Sequence, residues 1–412
     1  MKRHLLILVV VILILLAIFV GIFRNKVKDY AAQHGFALTL EENDGFSDLY
    51  PLLPTAKENL VFMYGESHGI AENERMVLKL FKFLHQKAGY RYLALEVDFA
   101  YTYLINKYLR TGDEAYLLKM DKWYYDNTGR TEESYRFFRE LYLFNSSLPE
   151  EEKIMVWCTD LAHGIKYTME RISEVIGRIE PKDKGFRLGE LFRDLEKKGV
   201  GGLSYRDIVE FDEKCRQIVG DRSEEELLLL VRSLKEGYGW RKSKDQPGGF
   251  LEEQDIRERS MLAYYDYFFR TYRPEETGRV FAYHGSAHIK KQATPEESRE
   301  ILAIFLNEQL EQSKGKVFSF YAFPVSGRAR DCKAKVRRVT GVEPDLKLAS
   351  YFLPSRFTLF FAENLSRLAA ESSFLNYKVN GLKIKDVYDA VLIMKNVTPE
   401  TGLNLEVNKD GY

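Results

Sequence analysis

Neither sign of charge predominates in this chain. Its 412 residues carry 61 Lys and Arg against 61 Asp and Glu, a formal net charge of zero. The sequence pI is near 7.1. That balance leaves no electrostatic footprint for nucleic acid. Cysteine is scarce: Cys158, Cys215 and Cys332 are the only three. An odd number with no close-spaced pair argues against a disulfide framework and against zinc-ribbon or redox spacings. There is no Gly-x-x-x-x-Gly-Lys phosphate loop, no dinucleotide glycine fingerprint, no internal repeat and no low-complexity segment. Histidine is also sparse, with seven in all, so where they fall carries information.

One long apolar run is present. Residues 5 to 23 contain no charge and a single glycine. As a helix they span about 28 Å, close to the hydrocarbon thickness of a bilayer. A cleaved signal peptide has a shorter apolar core of about 7–15 residues with a small-residue cleavage site behind it. Here Arg24, Asn25 and Lys26 follow directly. The expectation is an uncleaved anchor within residues 1–28, inserted in a membrane through residues 5–23. Residues 29–412 would form one α/β unit on the extracytoplasmic side. Lys2 and Arg3 oppose Arg24, Lys26 and Lys28 across the span, so the charge bias that sets orientation is small.

Beyond the run, short apolar segments alternate with helical periodicity. Strands are expected at 60–64, 91–95, 153–158, 279–283, 316–321 and 390–394. Helices are expected near 73–88, over 99–147 and at 252–270, with Gly89 stopping the first. Residues 165–250 are charged and helical in pattern with no strand run. Such alternation implies parallel strands joined by right-handed crossovers. The predicted fold is α/β: a mostly parallel sheet covered by helices on both faces, with a helical insertion at about 165–250 and an N-terminal transmembrane helix.

The chemistry lies just past the strands. Glu66 and His68 follow the first, Glu96 and Asp98 the second, Asp160 and His163 the third, His284 and His288 the fourth. Four of the seven histidines therefore sit at these edges. In a parallel sheet all these edges face one way, toward the crevice where ligands bind. A carboxylate that fixes an imidazole's tautomer and raises its basicity makes a general base. A second imidazole or an Arg stabilises a developing oxyanion. Ser67, between Glu66 and His68, is an alternative nucleophile. Glu66, His68 and His288 also suit a divalent metal such as zinc or manganese. His284 and His288, four apart, would share a helix face.

These residues resemble a known group. Gly65-Glu66-Ser67-His68-Gly69 resembles the Gly-Glu-x-x-His-Gly signature of the erythromycin esterase family, one residue shorter. It also resembles the Gly-x-x-His forms of the related Tiki, TraB and ChaN-like proteins. Ala94-Leu95-Glu96 and Thr159-Asp160-Leu161 are similar to the family's second and third strand ends. Arg257-Glu258-Arg259-Ser260-Met261 is similar to its Arg-Asp-x-x-Met helix. His284-Gly285-Ser286-Ala287-His288 resembles its His-Asn-x-His block with one residue added, and residues 389–399 its final strand. The ordered set runs over roughly residues 45 to 400.

Carried over by position, the resemblance implies His68 as general base, oriented by Glu66 or Glu96. It implies Arg257 as an electrostatic clamp and His288, with His284 second, as a substrate or oxyanion contact. Asp160 and Glu72 join His284 as expected substrate contacts. The esterases carry a further histidine soon after the first motif, where this chain has Ile70, Ala71 and Glu72. That departure points away from a macrolide esterase and toward the metal-dependent or haem-handling relatives. The implied function is a membrane-anchored hydrolase cleaving an ester, lactone or amide in a small-molecule or peptide substrate. The alternative is a ChaN-like protein that holds haem or metal without turnover.

Overall fold

A computed structural model describes residues 2–42, 45–120, 131–220, 224–243, 249–294, 300–331, 335–340, 342, 347, 349–364, 378–379 and 382–402. The chain opens with one helix, α1 (Lys2–His34), unbroken across residue 28, and passes directly into β1 (Gly35–Leu38). Then come α2 (Leu53–Glu58), β2 (Val61–Glu66), α3 (Glu72–Ala88) and β3 (Tyr90–Asp98). Three helices, α4 (Tyr101–Thr111), α5 (Ala115–Leu118) and α6 (Glu132–Ser147), lead to β4 (Met155–Asp160). The expected helical insertion is α7 (Ile165–Ile176), α8 (Lys182–Gly202), α9 (Tyr205–Val219) and α10 (Glu225–Ser243). The long α11 (Gly249–Tyr272) and short α12 (Pro274–Thr277) return the chain to β5 (Arg279–Gly285).

The remainder is α13 (Leu302–Glu308), β6 (Val317–Pro324), the hairpin of β7 (Arg328–Arg330) and β8 (Val336–Arg338), and β9 (Phe357–Phe361). It closes with the short pair β10 (Lys378–Val379) and β11 (Leu382–Lys383), then α14 (Ile384–Val387) and β12 (Ala390–Met394). The main sheet has the order β1-β9-β12-β6-β2-β5-β3-β4. Its pairs are parallel from β12 through β4, while β9 is antiparallel to both β12 and β1.

The central strands are buried on both faces, as a sheet covered by helices demands. Every residue of β2 is buried. Phe62 of β2 stands in register with Phe281 of β5 and Phe318 of β6, and the rings lie 5.9 and 4.9 Å apart. Each such ring contributes roughly 1.5–3 kcal/mol on burial, and their register aligns the three strands whose ends carry the chemistry. α3 begins with Glu72 and Glu74, ends with His85 and Lys87, and stops at Gly89 with φ 73°. Glu72 at the start and Lys87 at the end complement the helix dipole, and glycine accepts the left-handed stop. His85 is buried on this helix, with Nε2 2.9 Å from the Glu152 carbonyl, away from the strand ends.

Two readings needed revision. The strands run further than their apolar cores: β2 extends through Glu66, β3 through Asp98, β4 through Asp160 and β5 through Gly285. The acids do not end the strands, because each is partnered where it lies. His284 and His288 also share no helix face. His284 belongs to β5, and residues 286–289 form a turn. β1 and β9 were not foreseen; both are short, and they extend the sheet beyond its parallel part.

The insertion is fastened to the sheet by a close approach. A Cβ on Gly237 of α10 would stand 2.2 Å from the Ala162 carbonyl oxygen, a backbone atom just past β4. A Cβ on Gly239 would meet only side-chain atoms, at 3.8 and 4.0 Å. Gly237→Ala is therefore expected to cost about 1–3 kcal/mol by overpacking, while Gly239→Ala is tolerated. Urea unfolding of the two variants checks this; equal midpoints would refute the close approach.

Candidate active site

β2, β3, β4 and β5 run parallel and side by side, so their carboxyl ends deliver side chains to one place. At β2, Glu66 is 4% exposed and its Oε1 lies 2.7 Å from His68 Nδ1. Oε2 of Glu66 accepts from Asn73 Nδ2 at 2.8 Å and from the Tyr283 hydroxyl at 2.9 Å. Asn73 is itself held by the Tyr64 hydroxyl at 3.1 Å. With every Glu66 lone pair directed, Nδ1–H of His68 donates to Oε1 and Nε2 is the basic nitrogen. Burial lowers the His68 pKa, but the adjacent Glu66 outweighs it, and the net shift is upward. The His68 side chain is 42% exposed.

A second assembly lies beneath and is fully buried. Arg257 of α11 places Nη2 2.5 Å from Glu96 Oε1 and 2.5 Å from Asp160 Oδ2, and its Nε is 3.1 Å from both Asp160 oxygens. Glu96 Oε2 accepts the Gly285 N–H at 2.5 Å. His288 donates from Nδ1 to Glu258 Oε1 at 2.6 Å, and its Nε2 is 3.5 Å from Glu96 Oε1. Glu258 also accepts the Leu302 N–H at 2.9 Å. At the far end His163 Nε2 lies 3.0 Å from Asp160 Oδ2. The result is an alternating chain: Glu258, His288, Glu96, Arg257, Asp160, His163.

The electrostatics follow from that order. Burial alone would raise Glu96, but Arg257 and then His288 overrule it and hold the carboxyl well below its usual range. Asp160 is depressed likewise, with Arg257 and His163 outweighing burial. Burial works against a charged His288, yet Glu258 and Glu96 push its pKa up to about 10, so it is an imidazolium at neutral pH. His284 goes the other way: burial takes it down to about 3. Thr159 donates its hydroxyl to the Leu95 carbonyl at 3.0 Å, so it accepts from His284 Nε2 at 2.9 Å. His284 is therefore neutral and protonated on Nε2.

The two assemblies meet at Gly285. A Cβ there would stand 3.2 Å from Glu96 Oε2 and 3.3 Å from His68 Nε2, so glycine keeps the gap between base and network open. Between Leu95 and Asp98 the register of β3 on β4 shifts. Glu96 is directed to Gly285 and Arg257. Asp98 Oδ2 instead accepts the N–H groups of His163 and Gly164 at 2.9 and 2.8 Å. Burial raises Asp98 to about 6.

The anticipated residues are thus divided. Glu66 and His68 form one unit, with Glu66 rather than Glu96 touching the imidazole. Glu96, Asp160, Arg257 and His288 form the second. Asp160 and His284, expected as substrate contacts, are 0% and 1% exposed and are held by Arg257 and Thr159. Glu72 is elsewhere: it is buried against Arg356 and accepts from the Thr398 N–H and hydroxyl, pinning the segment after β12 to the start of α3. Sequence reasoning missed Glu258, Asn73 and Tyr283. Glu258 had a usable signal, since a buried imidazolium requires a second carboxylate and Glu258 adjoins Arg257.

A metal does not fit the donor set. Among the described residues no three His, Cys, Asp or Glu side chains converge as ligands. Glu66 is spent on His68, Asn73 and Tyr283, and His288 on Glu258 and Glu96. Gly65 to Gly69 also spells the Gly-x-Ser-x-Gly of a nucleophile elbow. That elbow strains its serine, whereas the described non-glycine residues with positive φ are Phe46, Arg273 and Asn396. Ser67 Oγ has the Tyr321 hydroxyl at 3.5 Å as its partner, and no imidazole activates it.

No protein-family model matches this chain, and no curated protein does. Solved structures do. A succinoglycan biosynthesis protein matches with a TM-score of 0.71 and 16% identity, over 92% of this chain and 99% of its own. A Bacillus cereus protein matches with a TM-score of 0.68 and 13% identity, over 92% and 99%. A mutant of the erythromycin esterase EreC in its open conformation matches with a TM-score of 0.61 and 11% identity, over 90% and 98%. This chain has the erythromycin esterase-like fold. At such identities the likeness is one of fold alone.

Arg257 is the link on which the buried network hangs. Arg257→Leu leaves Glu96 and Asp160 buried without their cation, a loss of about 3–5 kcal/mol. Urea unfolding measures it. A variant as stable as the native chain would show that the network is not load-sharing.

Proposed function

We propose that this protein is a membrane-anchored hydrolase that cleaves an ester, lactone or amide with His68 as general base. The observation that carries the reading is that His68 is half-exposed while its Nδ1 is locked by a buried carboxylate. Glu96, His288, Asp160 and Arg257 are buried and saturated with one another, so they hold the site and His68 does the chemistry. Water gives a proton to His68 Nε2 and its oxygen attacks the carbonyl carbon. The tetrahedral intermediate collapses as Nε2–H returns that proton to the leaving group. The Tyr321 hydroxyl, 3.5 Å from Ser67 Oγ, is assigned as the donor to the developing oxyanion. The anchor reading rests on α1, whose most apolar 18-residue stretch has a mean hydropathy of 3.7 and no residue buried by the protein.

The full chain in detergent, assayed on a panel of esters, lactones and peptides, tests the proposal. His68 must be neutral to accept a proton, and its pKa is raised above 6.5. Activity should therefore climb with pH through a window above 6.5. Glu66→Gln removes the charge that raises the pKa, so the acid limb should move to lower pH while kcat falls. His68→Ala should lower kcat by about 10²–10⁴. Tyr321→Phe should lower kcat with KM little changed. An acid limb unmoved in Glu66→Gln sinks the assignment of the base. Absence of turnover on the whole panel, with uptake of added haem, would favour the binding reading.

A further inference from the structure

The direction of α1 places the site with respect to the bilayer. β1 is antiparallel to β9, β9 is antiparallel to β12, and β12 is parallel to β6. β1 therefore runs with the parallel strands, and α1 enters it at the sheet's amino edge. The last turns of α1 pack on the body through buried Phe23, Val27, Tyr30 and Ala31. Phe23 meets Phe352 at 5.8 Å, and the Tyr30 hydroxyl donates to the Asn364 carbonyl at 2.7 Å. Phe352 precedes β9 at the carboxyl edge, where the neighbouring Leu353 carbonyl accepts from Lys395, just past β12. Asn364 follows β9 at the amino edge. α1 thus runs down from the carboxyl edge, covering about 17 Å between Phe23 and His34. Its apolar segment projects beyond that edge, which is the edge bearing His68.

The same edge carries a basic hairpin. The β7–β8 hairpin stands there, with the Arg330 N–H donating to the Gly69 carbonyl and Gly327 bridged to Val397. Arg328, Lys335, Arg337 and Arg338 are exposed around Val336, which is 48% exposed. Arg337 pairs with Asp331; Arg328, Lys335 and Arg338 have no carboxylate partner among the described residues. Arg24, Lys26 and Lys28 are exposed on α1. Tyr351, 67% exposed beside Phe352, stands level with Phe23, where a tyrosine suits a membrane interface. β1 and β2 are four strand spacings apart in the sheet, so the site lies about 19 Å to the side of the anchor.

We infer that the carboxyl edge faces the bilayer, with the β7–β8 hairpin on anionic lipid headgroups, and that the His68 site acts on ester or amide groups of amphiphiles held in that membrane. The inference rests on α1 being a retained anchor. Basic groups near an anionic leaflet are attracted within a Debye length, which holds the body edge-on against the surface.

The test uses the full chain in nanodiscs of phosphatidylglycerol and phosphatidylcholine, with Cys332 replaced by Ser. Spin labels are carried by Ile14→Cys, Val336→Cys and Glu275→Cys, the last exposed at the amino edge. The label at 336 should be relaxed more by oxygen than by an aqueous nickel chelate, and this preference should be lost in pure phosphatidylcholine. The label at 275 should favour nickel in both. Nickel preference at 336 in the anionic discs, or oxygen preference at 275, overturns the orientation. A water-exposed label at 14 instead overturns the anchor itself, so the two failures are distinct. Hydrogen exchange on the unsubstituted chain gives a second reading. Residues 335–338 should exchange more slowly in anionic discs than in detergent, and equal rates would refute the contact.

Discussion

Six buried groups in alternating order, from Glu258 through His288, Glu96, Arg257 and Asp160 to His163, hold the carboxyl edge of this protein together. They come from α11, from β3 and β4, and from the turns after β4 and β5. Each ion alone would cost several kcal/mol to bury, and the cost is offset only when partners saturate it. That condition is met from Glu258 to Asp160. Arg257 spans two carboxylates, His288 spans two more contacts, and backbone N–H groups take the remaining oxygens of Glu96, Asp160 and Glu258. Removing one member leaves its neighbours charged and dry, so the network is cooperative and positions α11 on the sheet.

The Glu66–His68 pair is built on a different principle. Glu66 is as buried as Glu96, but its partner His68 reaches solvent. The contrast separates a buried imidazole from an exposed one among residues that look alike in sequence. A histidine between two carboxylates becomes a permanent cation; one held by a single carboxylate and open to water keeps a basic nitrogen at hand. A third histidine, His284, paired only to a hydroxyl, stays neutral. The pKa values of these three imidazoles are thus shifted differently, set by what each touches.

Behind the Glu66–His68 pair lies a further acid cluster. Glu74 is buried next to Glu400 from the segment after β12, and burial with that neighbour raises Glu74 well above its usual range and Glu400 to about 7. Carboxyls raised in this way add less negative charge beside Glu66 than two free carboxylates would. With Glu72 fastened to Thr398 and Arg356, the chain past β12 closes the back of the site.

Local pattern alone determined a good deal here. The apolar run before Arg24, the buried strands, the helical insertion and the stop of α3 at Gly89 depend on periodicity and on glycine, and were legible in the sequence. So was the gathering of acids and imidazoles at one edge, since parallel strands leave no other place for their ends. The aromatic positions Trp123, Tyr124 and Tyr125 and the thiol of Cys332 lie outside the described residues. Tertiary structure alone decided who pairs with whom. Glu66 and not Glu96 holds His68, because a register shift in β3 turns Glu96 toward Arg257. Glu258 completes the network from a helix 30 residues before His288. Asp160, His284 and Glu72 are buried, with Asp160 and Glu72 held by Arg257 and Arg356 and His284 by Thr159. Charge pairing acts through space over a few ångströms, and strand order, which brings those ångströms about, is not written in any one stretch of chain.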